Sequence, residues 1–170
     1  MQTNELKLYS LSLSEVKSYL VAMIFIVGNM ALPQLCHAIP NGGVMLLPIY
    51  FFTLTAAYKY GWQVGLLTAV VSPVANSLIF GMPMMAVLPI ILVKSTLLAL
   101  SAGYVAHRFA RTSILSFVVI VASYQTVGTL VEWAMVGDFW RAIQDFRVGL
   151  PGMLIQVFGG CLFVKYLLRK

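Results

Sequence analysis

Residues 46–83 read LLPIYFFTLTAAYKYGWQVGLLTAVVSPVANSLIFGMP, and this stretch decides the fold. Two apolar runs meet at Tyr60-Gly61, and the second ends at Gly81-Met82-Pro83. Glycine and proline are the strongest punctuators of local structure, so the reading is a helix at about 44–60, a tight turn, and a helix at about 62–80. Working outward, the same logic predicts helices at about 16–36, 85–107, 113–135 and 150–168. Pro33 loosens the last turn of the first helix, Pro73 lies inside the third, and Pro151 occupies a favoured first-turn position of the sixth. The linkers are HAIPNGG (37–43), the His107-Arg108 turn and a polar loop at 136–149.

A spanning helix takes about 20 residues, so six helices with short loops use up the 170 residues. The composition agrees: 61% of residues are hydrophobic and 9% charged, against about 25% charged in soluble domains. The expected fold is an all-α integral membrane protein, a bundle of six transmembrane helices. Residues 1–15 form an N-terminal cytoplasmic or interfacial segment, and 16–170 form the transmembrane domain. The first fifteen residues alternate polar and apolar, with Glu5, Lys7 and Glu15, and lack a signal-peptide pattern. No room is expected for a soluble catalytic domain. The net charge of +6 is spread singly over helix ends rather than gathered in a patch, which argues against nucleic acid. Cys36 and Cys161 lie in apolar surroundings and read as small buried hydrophobes.

The positive-inside rule orients the bundle. With the N-terminus cytoplasmic, one side holds Lys7, Lys17, Lys59, Arg108, Arg111, Lys165, Arg169 and Lys170, and the other holds Arg141 and Arg147. Both termini are therefore expected in the cytoplasm. Seven polar or ionisable residues interrupt the spans: Asn29, Gln34, Asn76, Lys94, Gln125, Glu132 and Gln156. At 1.5 Å per residue, Lys94 and Gln125 fall near the midplane. Asn29 and Gln156 come at roughly 10 Å from the outer face, and the others at roughly 3 to 6 Å. Polar groups in hydrocarbon are costly and mark function by default. Their confinement to one half describes a pocket open to one side, with Lys94 and Gln125 deepest.

Lys94 must pair, line a wet cavity or lose its proton. It either holds an anionic group of a solute or pairs internally with Glu132 on the next helix, and the two roles are compatible. Glu132 accepts a hydrogen bond from a ligand or sits solvated at the interface. Trp133 reads as an interface-belt residue. Asn29, Asn76, Gln125 and Gln156 offer donors and acceptors for a polar ring edge, and each alone equally serves as interhelical glue. Tyr124, Tyr50, Phe51 and Phe52 supply apolar walls. His37, Asn41 and Gly42 are placed at the pocket mouth, where Asn41-Gly42-Gly43 suits a lid. His37 beside Cys36 makes a poor metal set, and neither metal nor cofactor is expected. The alternating charges of the loop at 136–149, with Asp138, Trp140, Arg141, Asp145 and Arg147, suggest a short amphipathic segment on the outer surface, with a solvated connector or a second cap as the other readings.

The stretch 46–83 also resembles the substrate-binding S component of energy-coupling factor (ECF) vitamin transporters. The early proline, the run closing on Tyr60-Gly61, Gly65 four residues later and the Gly81-Met82-Pro83 ending carry the likeness. The resemblance implies a subunit binding a vitamin-like solute from the outer face. It also implies a transmembrane coupling protein and two cytoplasmic ATPases as partners, in a bacterial or archaeal cytoplasmic membrane. In that family a small-residue face on the first helix docks on the coupling protein, and Ser18-x-x-x-Ala22 is the nearest equivalent here. No substrate-specific signature for biotin, riboflavin or thiamin stands out. No P-loop is present, so ATP hydrolysis would come from partners. The rival class is a structural six-span protein of the cell-shape type without a solute site. An enzyme is not expected, since paired catalytic carboxylates, HExxH and GxSxG are lacking.

Overall fold

The computed structural model describes residues 11–109 and 112–168. Residues 1–10, including Lys7, and the basic residues Arg111, Arg169 and Lys170 lie outside the described residues. Every regular element among the described residues is helical. Five segments are long and apolar enough to cross a membrane: Val16–Cys36, Trp62–Phe80, Leu88–Phe109, Ile114–Val136 and Leu150–Leu167. We label the first four α1, α4, α5 and α6, and their boundaries match the sequence reading within a few residues.

The expected continuous helix at 44–60 is not formed. The chain instead makes a short α2 (Gly42–Leu46), a left-handed residue at Leu47, a 3-10 turn (Pro48–Tyr50) and α3 (Phe51–Tyr60). Leu47 has φ 47° and ψ 46°, a conformation costing a non-glycine residue roughly 1–2 kcal/mol. Pro48 favours the break, because proline disfavours the right-handed helix for the residue before it and itself donates no hydrogen bond, although α1 and α4 carry Pro33 and Pro73 in their interiors. Non-helical backbone at membrane depth survives only where protein covers it, and Leu47, Pro48 and Tyr50 are all buried.

Helix α3 is the centre of the bundle. Residues Thr53 to Lys59 are buried on every face, and α1, α4 and α5 pack around it. Lipid is as apolar as leucine, so close packing rather than water exclusion holds such helices together. Small residues permit the approach: a Cβ on Gly65 would lie 2.3 Å from that of Ala57, and one on Gly103 would lie 2.9 Å from the Cα of Trp62. Gly61, at φ 100°, makes the sharp α3–α4 turn.

The two ends of the bundle differ. At one end Lys59 donates from Nζ to the carbonyl of Leu167, satisfying a helix C-terminus. Residues Leu11 and Leu13 are tied there to Tyr60 and Gln63. At the other end the stretch 137–149 folds into α7 (Phe139–Ala142) and α8 (Gln144–Arg147), giving structure to what reads as a loop. Asp138 caps α7 by accepting from the amides of Trp140 (2.9 Å) and Arg141 (3.2 Å). The last passage comprises α9 (Leu150–Leu154), a π-helical turn (Ile155–Gly159) and α10 (Gly160–Leu168).

On α1, Ser18 and Ala22 point inward, each with at most 2% of its surface exposed. Ser18 Oγ donates to the Ser12 carbonyl, and Ala22 packs with Phe25, Ala56 and Val64. The small-residue docking face expected at Ser18 and Ala22 is therefore not presented at the surface. The outward face of α1 is large and apolar, with Tyr19, Leu20, Met23, Ile24 and Val27.

Candidate solute site beneath the 137–149 cap

Lys94 stands on α5 less than two turns from its cap end, buried to 2% exposure. Its Nζ lies 2.6 Å from Glu132 Oε2 on α6 and 2.7 Å from Asp145 Oδ2 on α8. The lysine thus joins two neighbouring helices and the cap. Gly128 makes room for it, since a Cβ there would come 2.7 Å from Lys94 Cγ. The internal pair with Glu132 is one of the two roles open to Lys94 in the sequence; Asp145 is the addition the sequence does not single out.

The root of the cap presses on the break in the second passage. A Cβ on Gly149 would lie 2.9 Å from Leu47 Cδ1, and one on Gly152 would lie 2.5 Å from the Leu46 carbonyl oxygen. One turn further, the π-helical turn carries Gln156, whose Oε1 accepts a 2.8 Å bond from the Tyr124 hydroxyl. Such turns are frequent at functional sites. The Tyr124 ring centroid is 5.6 Å from that of Tyr50. Broken helix, π turn, ion triad and cap therefore meet in one region.

Several buried polar atoms here have no hydrogen-bond partner among the described residues. They are both amide atoms of Gln125, Nε2 of Gln156, and the hydroxyls of Ser95 and Thr129. An unsatisfied buried polar group costs about 1–3 kcal/mol, so such a set needs a reason. Gln125, Thr129 and Glu132 follow i, i+4, i+7 spacing and share one face of α6. They run from the partly exposed carboxylate of Glu132 to the fully buried amide of Gln125.

The remaining amides serve other ends. Asn29 Nδ2 donates to Thr53 Oγ1 (2.9 Å) and Ser72 Oγ (3.1 Å), and its Oδ1 accepts from the Phe52 amide (3.1 Å). Asn76 Nδ2 donates to the Asn29 carbonyl at 2.9 Å, while its Oδ1 has no partner. Asn29 thus spends its side chain joining α1, α3 and α4. Gln34 is half-buried, its Nε2 without a partner among the described residues.

His37, Asn41 and Gly42 line a separate, largely apolar cleft of about 500 Å³ at the same end, with Met82 and Pro83 opposite. His37 Nδ1 donates to the Pro33 carbonyl at 2.7 Å. The inner wall of the cleft is Ile49, beside Tyr50, and Ile91, one turn from Lys94. At the surface of the cap, Trp133 contacts Phe139 edge-on (5.4 Å), Phe139 contacts Trp140 (5.9 Å), and the Arg147 guanidinium lies over Trp140 at 5.6 Å. Trp133 is 46% exposed and contributes to this interfacial cluster.

Comparison with protein-family models, curated proteins and solved structures finds no match for this chain. The functional reading therefore rests on the sequence and on the site.

Proposed function

We propose that the chain is a six-span solute-binding subunit of the energy-coupling factor type, taking up a small vitamin-like molecule from the outer face of a bacterial or archaeal cytoplasmic membrane. The observation that carries this reading is Gln125, fully buried with neither amide atom bonded, on the α6 face that leads inward from Glu132. A purely structural six-span protein gains nothing from such a residue; a binding protein has a use for it, because a solute supplies the missing partners. Tyr50 and Tyr124 provide the apolar walls such a site needs, and the 137–149 cap and the His37–Gly42 segment flank the approach. A transmembrane coupling protein and two ATPases would complete transport.

Native mass spectrometry of the purified chain tests the reading directly. A co-purified small molecule lost on Gln125→Leu in a folded variant supports it. No binding across a vitamin panel by a folded sample overturns it and favours the scaffold class. The orientation has its own test: Cys36, partly exposed at the cap end, should react with a membrane-impermeant maleimide added outside intact cells.

A further inference from the structure

The charge around Lys94 limits what the site accepts. Lys94 is already paired with two carboxylates, so the three groups carry a formal charge of −1. A free lysine in an apolar bundle attracts an anion; this one is more than neutralised, and an arriving carboxylate or phosphate would meet a surplus of like charge. The geometry has the same sense. Lys94 lies behind, at 2% exposure, while Glu132 and Asp145 stand in front of it at 12% and 16%. Lys94 approaches Glu132 through Oε2 and Asp145 through Oδ2, and each carboxylate has a second oxygen able to accept from a ligand. Among the described residues no other cation lies within ion-pair distance of either carboxylate. Arg147, on the same short helix as Asp145, is placed over the Trp140 ring.

An acidic pair alone specifies nothing, but here it heads a stripe of unpartnered polar groups. Thr129 lies one turn below Glu132 and Gln125 two turns below, both buried, with their side-chain polar atoms unbonded among the described residues. Ser95, adjacent to Lys94 and fully buried, adds another free hydroxyl. Seven residues of helix separate Glu132 from Gln125, roughly 10 Å along the axis. A single heteroaromatic ring with a short arm has about that reach. We propose, resting on the reading of the chain as a solute-binding subunit, that the ligand is a protonated amine on a polar ring. The ammonium is held between Glu132 and Asp145, and the ring edge is read by Gln125. Lys94 then acts as a positioning residue that holds the two carboxylates side by side, not as the ligand's counter-ion.

The test uses the full chain in detergent and three matched probe series built on pyridine, pyrimidine and indole. Each series is supplied as a primary amine, an alcohol and a carboxylate, and binding is read by calorimetry and thermal shift. In at least one series the amine should bind tenfold or more tighter than its two counterparts. Glu132→Gln and Asp145→Asn should each weaken it by about tenfold or more, the scale of a lost charge-assisted hydrogen bond. Gln125→Leu should weaken every member of the series that binds. Preference for a carboxylate or alcohol with the same Gln125 dependence overturns the amine and leaves the binding subunit standing, as does amine binding indifferent to both acid variants. No binding in any series by folded protein removes both. Should the acid variants not fold, the charge preference of the unaltered chain decides alone.

Discussion

The Nζ of Lys94 lies 2.7 Å from an Asp145 oxygen that the chain supplies 51 residues later. This contact turns the 137–149 segment from a connector into a cap, because it anchors α8 to the interior of α5. With Glu132 at 2.6 Å on the other side, the lysine ties α5, α6 and the cap together.

Asp145→Ala should therefore free the cap. Breaking a fully buried pair costs about 3–5 kcal/mol. Asp145 is partly exposed and Glu132 still holds the lysine, so a loss of about 1–3 kcal/mol is expected. Faster amide exchange confined to residues 137–149 would show it. Exchange unchanged there would mean the cap is held by Gly149 and Gly152 against Leu46 and Leu47 instead.

Gln125→Leu separates stability from binding. The native amide is buried and unbonded, so replacing it with a similar apolar volume should leave the thermal midpoint unchanged or raise it, by up to about 1–3 kcal/mol in stability. Ligand affinity should fall in the same variant. A large drop in Tm would reveal that Gln125 is structural glue.

Asn29→Leu should do the reverse. It removes three side-chain bonds that join α1 to α3 and α4. At about 0.6 to 1.7 kcal/mol each in a bilayer, the loss is about 2–5 kcal/mol. Unfolding in detergent measures it, and the solute preference of the surviving folded fraction should be unaltered.

Two glycines distinguish packing from positioning. Gly65→Ala places a methyl 2.8 Å from the Cα of Ala57, which only backbone movement relieves, so α3–α4 packing should lose about 1–3 kcal/mol. Gly128→Ala collides with Lys94 Cγ at 2.7 Å. It should disturb the triad, releasing the cap as Asp145→Ala does and weakening solute binding more than it lowers Tm.

Much of this architecture is written locally. Gly61 and Gly81 end their helices where a left-handed or extended glycine was needed, and Pro151 sits in the first turn of α9. The break at Leu47 was also signalled, by Pro48, but a hydropathy run overrides a single proline when the segment is read for length. Ser18-x-x-x-Ala22 misled for a different reason: small residues suit an outer docking face and an inner packing face equally, and only the rotation of α1 about its axis chooses between them. Asp145 was visible as one acid in a polar loop, with nothing nearby in sequence to connect it to a lysine on α5.

The sequence by itself determined that the chain is helical and apolar enough to cross a membrane, where the turns at Gly61 and Gly81 fall, and which polar residues lie within its hydrocarbon-length segments. These follow from hydropathy, helix period and turn chemistry, which act over a few residues. Only the tertiary structure decided that Lys94 is doubly paired, that Asn29 is consumed in packing, that Gln125 is left unbonded, and that Leu47 is held left-handed against the base of the cap. Ion pairing and hydrogen-bond satisfaction depend on which helices become neighbours and how each is rotated, and no local pattern carries that information.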